Sequence, residues 1–196
     1  MSPNSPPTLI VIAGPNGAGK STFTASLGRV AGVPVIDPDA IARRLQPLAP
    51  EQAAVQAGRE VLKQEATYLD QSTSFAVETT LAGTGVLRLM EKARERGYRV
   101  HLVYIGLENV QTSLDRIAER VAQGGHGVPP DDVRRRYERS MRNLEAAIAR
   151  ADHVLLFDNS GEHDMRTVLA VDDRGVTMRS DMMPRWISTY LANLLG

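Results

Sequence analysis

The 196-residue chain contains no cysteine, and its aromatic side chains include only three Phe and one Trp. Without thiols it can form neither disulfide bonds nor thiolate metal sites. The few large aromatic rings leave little surface on which nucleic-acid bases could stack. The 23 basic and 23 acidic residues cancel, so no net charge attracts the chain to nucleic acid or to anionic membranes. We therefore expect no membrane partner, and we disfavour nucleic acid as a partner.

Long apolar runs are missing near the start of the chain as well. Residues 1–7 are polar and rich in proline, without the basic start and apolar run of a secretory signal. We expect them to form a disordered tail. The apolar run at residues 9–13 has the length of a strand and is far shorter than the ~20 residues of a membrane span. The length of the chain suits one domain, which we place at residues 8–196.

Five short apolar segments alternate with segments of helical periodicity. Continuous runs rich in β-branched residues are typical of strands that are buried on both faces of a parallel sheet. The order therefore predicts an α/β fold, a three-layer αβα sandwich with a five-stranded parallel sheet. A predicted hairpin, with its turn at residues 172–175, and a final helix at residues 184–195 follow the sheet. The predicted strands are residues 8–13, 33–36, 74–78, 98–105 and 153–158.

Two of the predicted helices, at residues 51–69 and 130–150, carry an apolar face at helical spacing. Such a face is expected to be buried against the rest of the domain. A third helix, over residues 86–96, should end at Gly97. The apolar face of the first helix comprises Val55, Leu62, Ala66 and Leu69. That of the second comprises Val133, Tyr137, Met141, Leu144 and Ile148.

A glycine-rich segment between the first strand and the first helix fits the pattern G-x-x-x-x-G-K-[ST] without a mismatch. Glycines let the backbone wrap closely around phosphates, and the helix N-terminus adds the positive end of its dipole. Lys20 is expected to bridge the β- and γ-phosphates, Ser21 to bind Mg²⁺, and Thr22 to reach the α-phosphate. The sandwich is therefore predicted to be a P-loop NTPase fold of the nucleotide-kinase-like type, with ATP and Mg²⁺ as cofactors. The predicted ATP-binding residues are Gly14, Pro15, Asn16, Gly17, Ala18, Gly19, Lys20, Ser21 and Thr22.

The phosphate loop alone does not define a reaction, because GTPases, motor ATPases and small-molecule kinases share it. The chain has no Asn-Lys-x-Asp motif for reading guanine. No apolar strand ends in the Asp-Glu pair that a motor ATPase would use. The chain is also short, as small kinases are. A small-molecule kinase is the reading that these features favour.

Acidic residues end the second and third predicted strands. Asp37 and Asp39 follow the second strand, and Glu78 and Thr79 end the third. The carboxyl ends of parallel strands face the ligand in such folds, where a carboxylate can accept a hydroxyl proton or hold a metal. Asp37 precedes Pro38, which suits a helix cap better than a catalytic acid. We therefore predict Asp39 as the catalytic base and assign Asp39, Glu78 and Thr79 to the acceptor side.

Phosphoryl transfer also needs positive charge around the γ-phosphate, a task for which Arg is well suited. Arg120 lies just before a Gly-Gly-His-Gly loop, in the place where small kinases carry a mobile lid. Arg120 is therefore our catalytic arginine, and His126 in that loop is a candidate contact to substrate. The basic residues of the next helix, Arg136 among them, belong either to this site or to a solvated face.

In this order, GPNGAGKST, the D-P-D strand end, SFAVETT, RVAQGGHGVP and RRRYERS resemble the zeta-toxin family of P-loop kinases. The resemblance spans about residues 9–161 and is strongest to the compact, zeta-toxin-like branch. It implies an ATP- and Mg²⁺-dependent kinase that phosphorylates a sugar hydroxyl of UDP-N-acetylglucosamine. By this resemblance Lys20 is the loop lysine, Asp39 the catalytic aspartate and Glu78 the substrate-positioning glutamate. Arg120 matches the first of two phosphate-clamping arginines.

The chain departs from the family pattern at the second arginine, which falls near His126. Either Arg135 or Arg136 then supplies the charge, or the chemistry of the lid differs. The resemblance further implies a small antitoxin protein as a partner and, with the need for ATP, a cytoplasmic location. Two alternatives stay open: a P-loop kinase for another acceptor, such as an antibiotic, nucleoside or metabolite, and an ATP-binding switch without phosphotransfer.

Overall fold

The computed structural model describes residues 5–161 and 165–192. For residues 27–31 it describes the backbone only. Seven strands alternate with seven helices over these ranges. The strands are β1 (Thr8–Ala13), β2 (Val35–Ile36), β3 (Phe75–Thr79), β4 (Arg99–Gly106), β5 (His153–Asp158), β6 (Arg166–Asp172) and β7 (Gly175–Arg179). The helices are α1 (Lys20–Ala31), α2 (Pro38–Leu45), α3 (Ala54–Asp70), α4 (Gly85–Glu95), α5 (Val110–Ala122), α6 (Pro130–Ile148) and α7 (Arg185–Tyr190), and a short 3₁₀ turn (Pro50–Ala53) precedes α3.

The strands form one sheet in the order β2-β3-β1-β4-β5-β6-β7. The five predicted strands are present and parallel, with β1 at the centre between β3 and β4. The predicted hairpin is not a separate appendage, because β6 and β7 continue the same sheet in antiparallel fashion. Its turn lies where it was predicted. The carboxyl ends of β2, β3 and β1 consequently lie side by side, which brings the strand-end acids next to the phosphate loop.

The elements differ from the sequence predictions mainly in length. The second strand is confined to two residues, and α7 ends at Tyr190, whereas a helix reaching residue 195 was expected. The last residues of that expected helix, 193–195, lie outside the described residues, as do residues 1–4 of the expected tail. Gly97 ends α4 as predicted, with a φ of 78° that a glycine adopts without strain. Within the described ranges no helix is long and apolar enough to cross a membrane.

Helix α6 buries the face that its sequence predicts, and α3 does not. Val133, Tyr137, Met141 and Leu144 are buried. On α3, in contrast, the predicted apolar face was wrong, since Val55 and Leu62 are 71% and 67% exposed, and Ala66 is exposed too. Leu69, the fourth residue of the predicted face, is buried, and the helix packs beside it through Ala57, Val61 and Tyr68.

The C-terminal elements are fastened to the end of β5 by one buried carboxylate. Asp158 accepts hydrogen bonds from Ser160 Oγ (2.5 Å), from Trp186 Nε1 (3.1 Å) and from Arg166 Nη2 (3.1 Å). Trp186 is fully buried, as expected for a packing residue. Its ring lies so close to Gly106 that any Cβ there would overlap it. β6 and α7 therefore contribute to the core of the domain, whereas β7 is exposed.

Candidate active site

The phosphate loop joins β1 to α1 and is held in a conformation that its glycines allow. Gly14, Gly17 and Gly19 have φ angles of 146°, 76° and 91°, which side chains other than glycine rarely adopt. A Cβ at Gly14 would overlap the carbonyl oxygen of Ile105 on β4. A Cβ at Gly19 would come within 2.9 Å of Asn159 Nδ2. Close packing and backbone conformation both require glycine in the motif.

Three side chains from outside the loop hold three consecutive loop carbonyls. Ser113 Oγ donates to the carbonyl of Asn16. Arg116 Nη1 donates to the carbonyl of Gly17 (3.3 Å), and Asn159 Nδ2 to that of Ala18 (3.0 Å). Because C=O and N–H point in opposite directions in a trans peptide, the N–H groups of residues 17–19 point away from these three side chains. Ala18 uses its N–H inside the loop, bonding Pro15 O at 3.3 Å.

Lys20 lies at the end of this loop and is only 8% exposed. Its Nζ donates to the carbonyl of Pro15 at 3.0 Å. Burial lowers the pKa of Lys20, and the charges of Glu78, Asp39 and Asp37 oppose that effect. Arg120 acts in the same direction as burial. The structure therefore brings four of the predicted charged groups into one electrostatic neighbourhood.

Glu78 is the acid most closely tied to the loop, at 9% exposure. Its two carboxylate oxygens accept hydrogen bonds from Ser21 Oγ and Thr24 Oγ1, each at 2.9 Å. Burial raises the pKa of Glu78, whereas Lys20 and the two hydroxyl donors lower it. The buried carboxylate thus links the end of β3 to the first turns of α1. Thr22, which lies between the two donors in sequence, is exposed.

The two aspartates after β2 differ in their contacts, and Asp37 forms the helix cap that the sequence predicted. Asp37 caps α2, and its Oδ1 accepts from the backbone N–H groups of Asp39 (2.9 Å) and Ala40 (3.1 Å). The side chain of Asp39 is exposed and bears no hydrogen bond among the described residues. It remains free to meet a ligand, while its charge still reaches Lys20.

Of the residues predicted around the lid, Arg120 contacts the loop, whereas the arginines of α6 do not show such a contact among the described residues. Arg120 is exposed, and its Nη2 donates to the carbonyl of His126 at 2.8 Å, so its guanidinium is bonded to the 123–129 loop. His126 contributes that carbonyl, while its side chain is exposed. Arg135 pairs with Asp132 of its own helix at 2.7 Å. Among the described residues no hydrogen bond or ion pair joins Arg136 to the phosphate loop, and its place in the acceptor site stays a prediction.

A cavity of about 260 Å³ opens beside Glu78, between β2, β3, α3 and α4. Its wall includes Thr79, Pro38 and the predicted acceptor residue Glu78. Thr79 holds the turn after β3 through its Oγ1, which accepts from Leu81 N at 3.0 Å. Leu62, the exposed α3 residue, lines the mouth of the cavity. Glu78 therefore takes part both in the phosphate-loop hydrogen bonds and in a concave surface of a size that suits part of a small molecule.

The residues present fit a bound nucleotide and a magnesium ion. The loop has no room for a Cβ at Gly14 or Gly19, and three of its carbonyls are bonded to side chains outside the loop. Asn16 Oδ1 is the buried side-chain atom that lacks a hydrogen-bond partner among the described residues. Mg²⁺ is usually bound by one or two protein oxygens together with phosphates and waters. Ser21 Oγ and the Glu78 carboxylate supply oxygens of that kind at one point. Lys20 would bind phosphate oxygens from the other side of the loop.

Sequence reasoning missed three positioning residues and one cavity residue. Ser113 carried no usable signal, because a buried serine on an amphipathic helix resembles ordinary packing. Arg116 could have been found, since it precedes Arg120 by one helical turn on the same helix face. Asn159 directly follows the fifth strand, and no motif marks it as a residue that holds the loop. Glu65 lines the cavity from α3, a position that the mistaken orientation of that helix concealed.

Comparison with known proteins agrees with this arrangement. The family model described as zeta toxin matches residues 1–167. The chain belongs to the zeta toxin family. An uncharacterized protein of Haemophilus influenzae (strain ATCC 51907 / DSM 11121 / KW20 / Rd) is 40% identical to this family member over 128 residues, which are 65% of this chain and 91% of that relative.

Two solved structures illustrate the likeness in fold. The AvrRxo1-ORF1:-ORF2 complex with ATP matches with a TM-score of 0.74 at 19% identity, covering 90% of this chain. This family member spans only 62% of the length of that chain. The PezAT chromosomal toxin-antitoxin system of Streptococcus pneumoniae matches with a TM-score of 0.59 at 18% identity, over 80% of this chain and 69% of that one. At these identities the likeness establishes the α/β fold alone.

Proposed function

We propose that the chain is an ATP-dependent phosphotransferase that moves the γ-phosphate of ATP to a hydroxyl of a small acceptor. The observation that carries the proposal is the double position of Glu78, which accepts hydrogen bonds from Ser21 of the phosphate loop and Thr24 of α1 and also lines the cavity. A donor site and an acceptor-sized cavity thus meet at one carboxylate. Membership of the zeta toxin family supports the same reading.

In the proposed reaction the residues of the chain stabilise the charge of the transferring phosphoryl group and accept one proton. The loop N–H groups, Lys20 and Arg120 bind the oxygens of the transferring phosphoryl group. Asp39 accepts the proton of the acceptor hydroxyl while the new O–P bond forms and the bond from the γ-phosphorus to ADP breaks. When bound, Mg²⁺ neutralises part of the phosphate charge from the side of Ser21 and Glu78. Glu78 and Thr79 orient the acceptor in the cavity, and any contribution of His126 and Arg136 depends on the movement of the lid.

The assignment of Asp39 as the base can be tested by removing its basicity alone. Asp39→Asn should reduce transfer at least a hundredfold, the usual contribution of general base catalysis, while the dissociation constant for ATP changes less than threefold. Asp173→Asn, on the exposed hairpin turn, is the matched control and should behave like the wild type. Transfer by Asp39→Asn at the wild-type rate would show that another group takes the proton.

The identity of the acceptor is a finer part of the proposal. UDP-N-acetylglucosamine is the acceptor that the family resemblance implies, and antibiotics, nucleosides and other metabolites are the alternatives. ATP consumption should be measured over a panel of hydroxyl compounds that includes the nucleotide sugar. An acceptor that stimulates consumption supports a kinase. If no acceptor changes the rate and the 123–129 loop becomes ordered on nucleotide binding, the switch alternative is correct.

The same family resemblance leads us to propose that the activity is toxic and is restrained by a small antitoxin protein. The AvrRxo1 and PezAT structures each include two components by name. Induced expression of the wild type should arrest bacterial growth, whereas Lys20→Ala, expressed to the same level, should not. Equal growth of the two strains would argue that the chain is a metabolic kinase that needs no antitoxin.

A further inference from the structure

Three side chains form a short hydrogen-bonded chain between α1 and the end of β3. Ser21 and Thr24 are three residues apart in α1, so their side chains lie on the same helix face. Each donates to a different oxygen of Glu78, Ser21 Oγ to Oε1 and Thr24 Oγ1 to Oε2, at 2.9 Å in both cases. One helix therefore holds both oxygens of the carboxylate, and the carboxylate cannot turn without breaking one of the two bonds.

The bond between Ser21 and Glu78 sets the direction of the Ser21 hydroxyl. A serine hydroxyl has one proton to donate and lone pairs with which it can accept a hydrogen bond or bind a metal. In Ser21 the proton points to Glu78 Oε1, so the lone pairs of the hydroxyl oxygen point elsewhere. That leaves them available to a metal ion, which is the role predicted for Ser21 in the phosphate-loop motif. Glu78 thus orients the predicted metal ligand.

The orientation of Glu78 depends in turn on Thr24. Glu78 is buried, and a buried carboxylate needs hydrogen-bond donors at its oxygens. Among the described residues no group other than these two hydroxyls donates a hydrogen bond to Glu78. Thr24 is half-buried, and in the same part of the chain its hydroxyl has no second partner. Without this hydroxyl, Oε2 would lose its donor and the carboxylate could turn away from Ser21.

Building on the ATP and magnesium site of the function proposed above, we propose that Thr24 is a positioning residue for the metal-binding hydroxyl of Ser21. Thr24 fixes Glu78, and Glu78 orients Ser21, while Thr24 itself contacts neither the nucleotide nor the metal. Such outer contacts commonly set the affinity of a metal site. The role has a specific consequence. Loss of the Thr24 hydroxyl weakens ATP binding when Mg²⁺ is present, but it leaves the binding of metal-free ATP by the loop and Lys20 unchanged.

The test is calorimetric titration of the full chain with ATP, once with Mg²⁺ and once with EDTA. Thr24→Val keeps the branched shape and removes the hydroxyl. It should lower the affinity for ATP about tenfold with Mg²⁺, as expected for a lost hydrogen bond to a charged group, and less than about twofold in EDTA. An equal loss in both buffers would indicate a general structural role, and no loss with Mg²⁺ would indicate no role. Either result would overturn the proposal.

Further variants show whether the effect comes from the hydroxyl and passes through Glu78. Thr24→Ser restores the donor and should return the affinity with Mg²⁺ to within about threefold of the wild type. Ser26→Ala, which removes an exposed hydroxyl from the same helix, is the matched control and should bind like the wild type. In a Glu78→Ala background, Thr24→Val should change the affinity less than about twofold, because the group through which it acts is gone. A full loss in that background, or no rescue by serine, would contradict the proposed role.

Because the test measures binding, its outcome can be distinguished from that of the proposed function. If Thr24→Val shows the magnesium-dependent loss but the wild type phosphorylates no acceptor, the phosphotransferase proposal fails and the role of Thr24 stands. If the wild type phosphorylates an acceptor and Thr24→Val binds ATP normally in both buffers, the phosphotransferase proposal stands and the role of Thr24 is wrong. Thermal unfolding of each variant in EDTA confirms that the protein used in the titrations is folded.

Discussion

At the scale of single residues, the candidate site is a group of buried or half-buried charges that are only partly compensated. Burial lowers the pKa of Lys20 and raises that of Glu78, although the two charges attract each other. A phosphate bound at the loop adds negative charge next to Lys20 and thereby favours its ammonium form. Burial of these charges therefore lowers the stability of the folded chain, and a bound ligand would offset part of that cost.

The pKa of Glu65 leads to a prediction about stability and pH. Its value of about 7 in the folded chain is above the unfolded value near 4.5, so the folded chain loses stability relative to the unfolded chain as pH rises from 4.5 through 7. Glu65→Gln removes this loss. Relative to the wild type, the variant should gain about 2 kcal/mol between pH 5 and pH 8, or roughly 5 °C in Tm.

Thermal unfolding of both proteins across that pH range measures the effect. Glu60→Gln should show a difference from the wild type that stays flat with pH. A flat difference for Glu65→Gln as well would mean that Glu65 is ionised throughout and that its burial carries no such cost.

A second prediction at the residue scale concerns Arg116, which donates hydrogen bonds to the carbonyls of Gly17 and Gly161. Arg116→Ala should release the loop and weaken ATP binding about tenfold, which is about 1.4 kcal/mol. Arg139→Ala, on the exposed face of α6, is the control. Calorimetric titration with ATP decides between them, and equal affinities would remove Arg116 from the positioning of the loop.

At the scale of elements, α3 shows what the sequence could and could not predict. The phosphate loop, the Asp37 cap and the buried face of α6 depend on local spacing, and the structure agrees with all three. The face of α3 depends on what lies beneath the helix. Leu62 was expected in the core but lies at the mouth of a cavity, and Glu65 lines its wall. Periodicity finds an apolar face, but it cannot tell a packed face from one that borders a binding site.

Gly58 in the middle of α3 provides the prediction for this element. Glycine destabilises a helix interior by about 1 kcal/mol relative to alanine, and a Cβ here meets no neighbour. Gly58→Ala should therefore raise Tm by roughly 3 °C. Because it adds only one methyl group to the wall, it should leave kcat/KM for the best acceptor within about threefold of the wild type. A lower Tm would mean that the position is strained or crowded.

At the scale of the whole molecule, the C-terminal hairpin and α7 belong to the same folding unit as the phosphate loop. The sequence predicted both elements but not that they extend the sheet, because register between distant strands is set by tertiary packing and not by local pattern. The buried Asp158, the last residue of β5, joins this strand to β6 and α7 through its hydrogen bonds. The next residue, Asn159, donates to the carbonyl of Ala18 in the phosphate loop. Substitutions that disrupt the packing of the hairpin or of α7 should therefore also weaken nucleotide binding.

Trp186 tests that connection. Trp186→Ala removes a fully buried ring and one hydrogen bond to Asp158, which should cost about 3–5 kcal/mol and lower Tm by roughly 10 °C or more. ATP affinity of the fraction that remains folded should fall as well. An independent C-terminal unit would instead unfold in a separate, earlier transition and leave ATP binding intact. Thermal unfolding monitored by circular dichroism and by ATP binding distinguishes the two outcomes.

The central claim is that the loop and the cavity beside it form the two halves of a transfer site. The most direct measurement incubates the full chain with Mg²⁺, [γ-³²P]ATP and the acceptor panel, and follows where the label goes. The account predicts a labelled small-molecule product with the wild type and none with Asp39→Asn, although both bind ATP. Label that appears only as inorganic phosphate, at a rate that no acceptor changes, would contradict it.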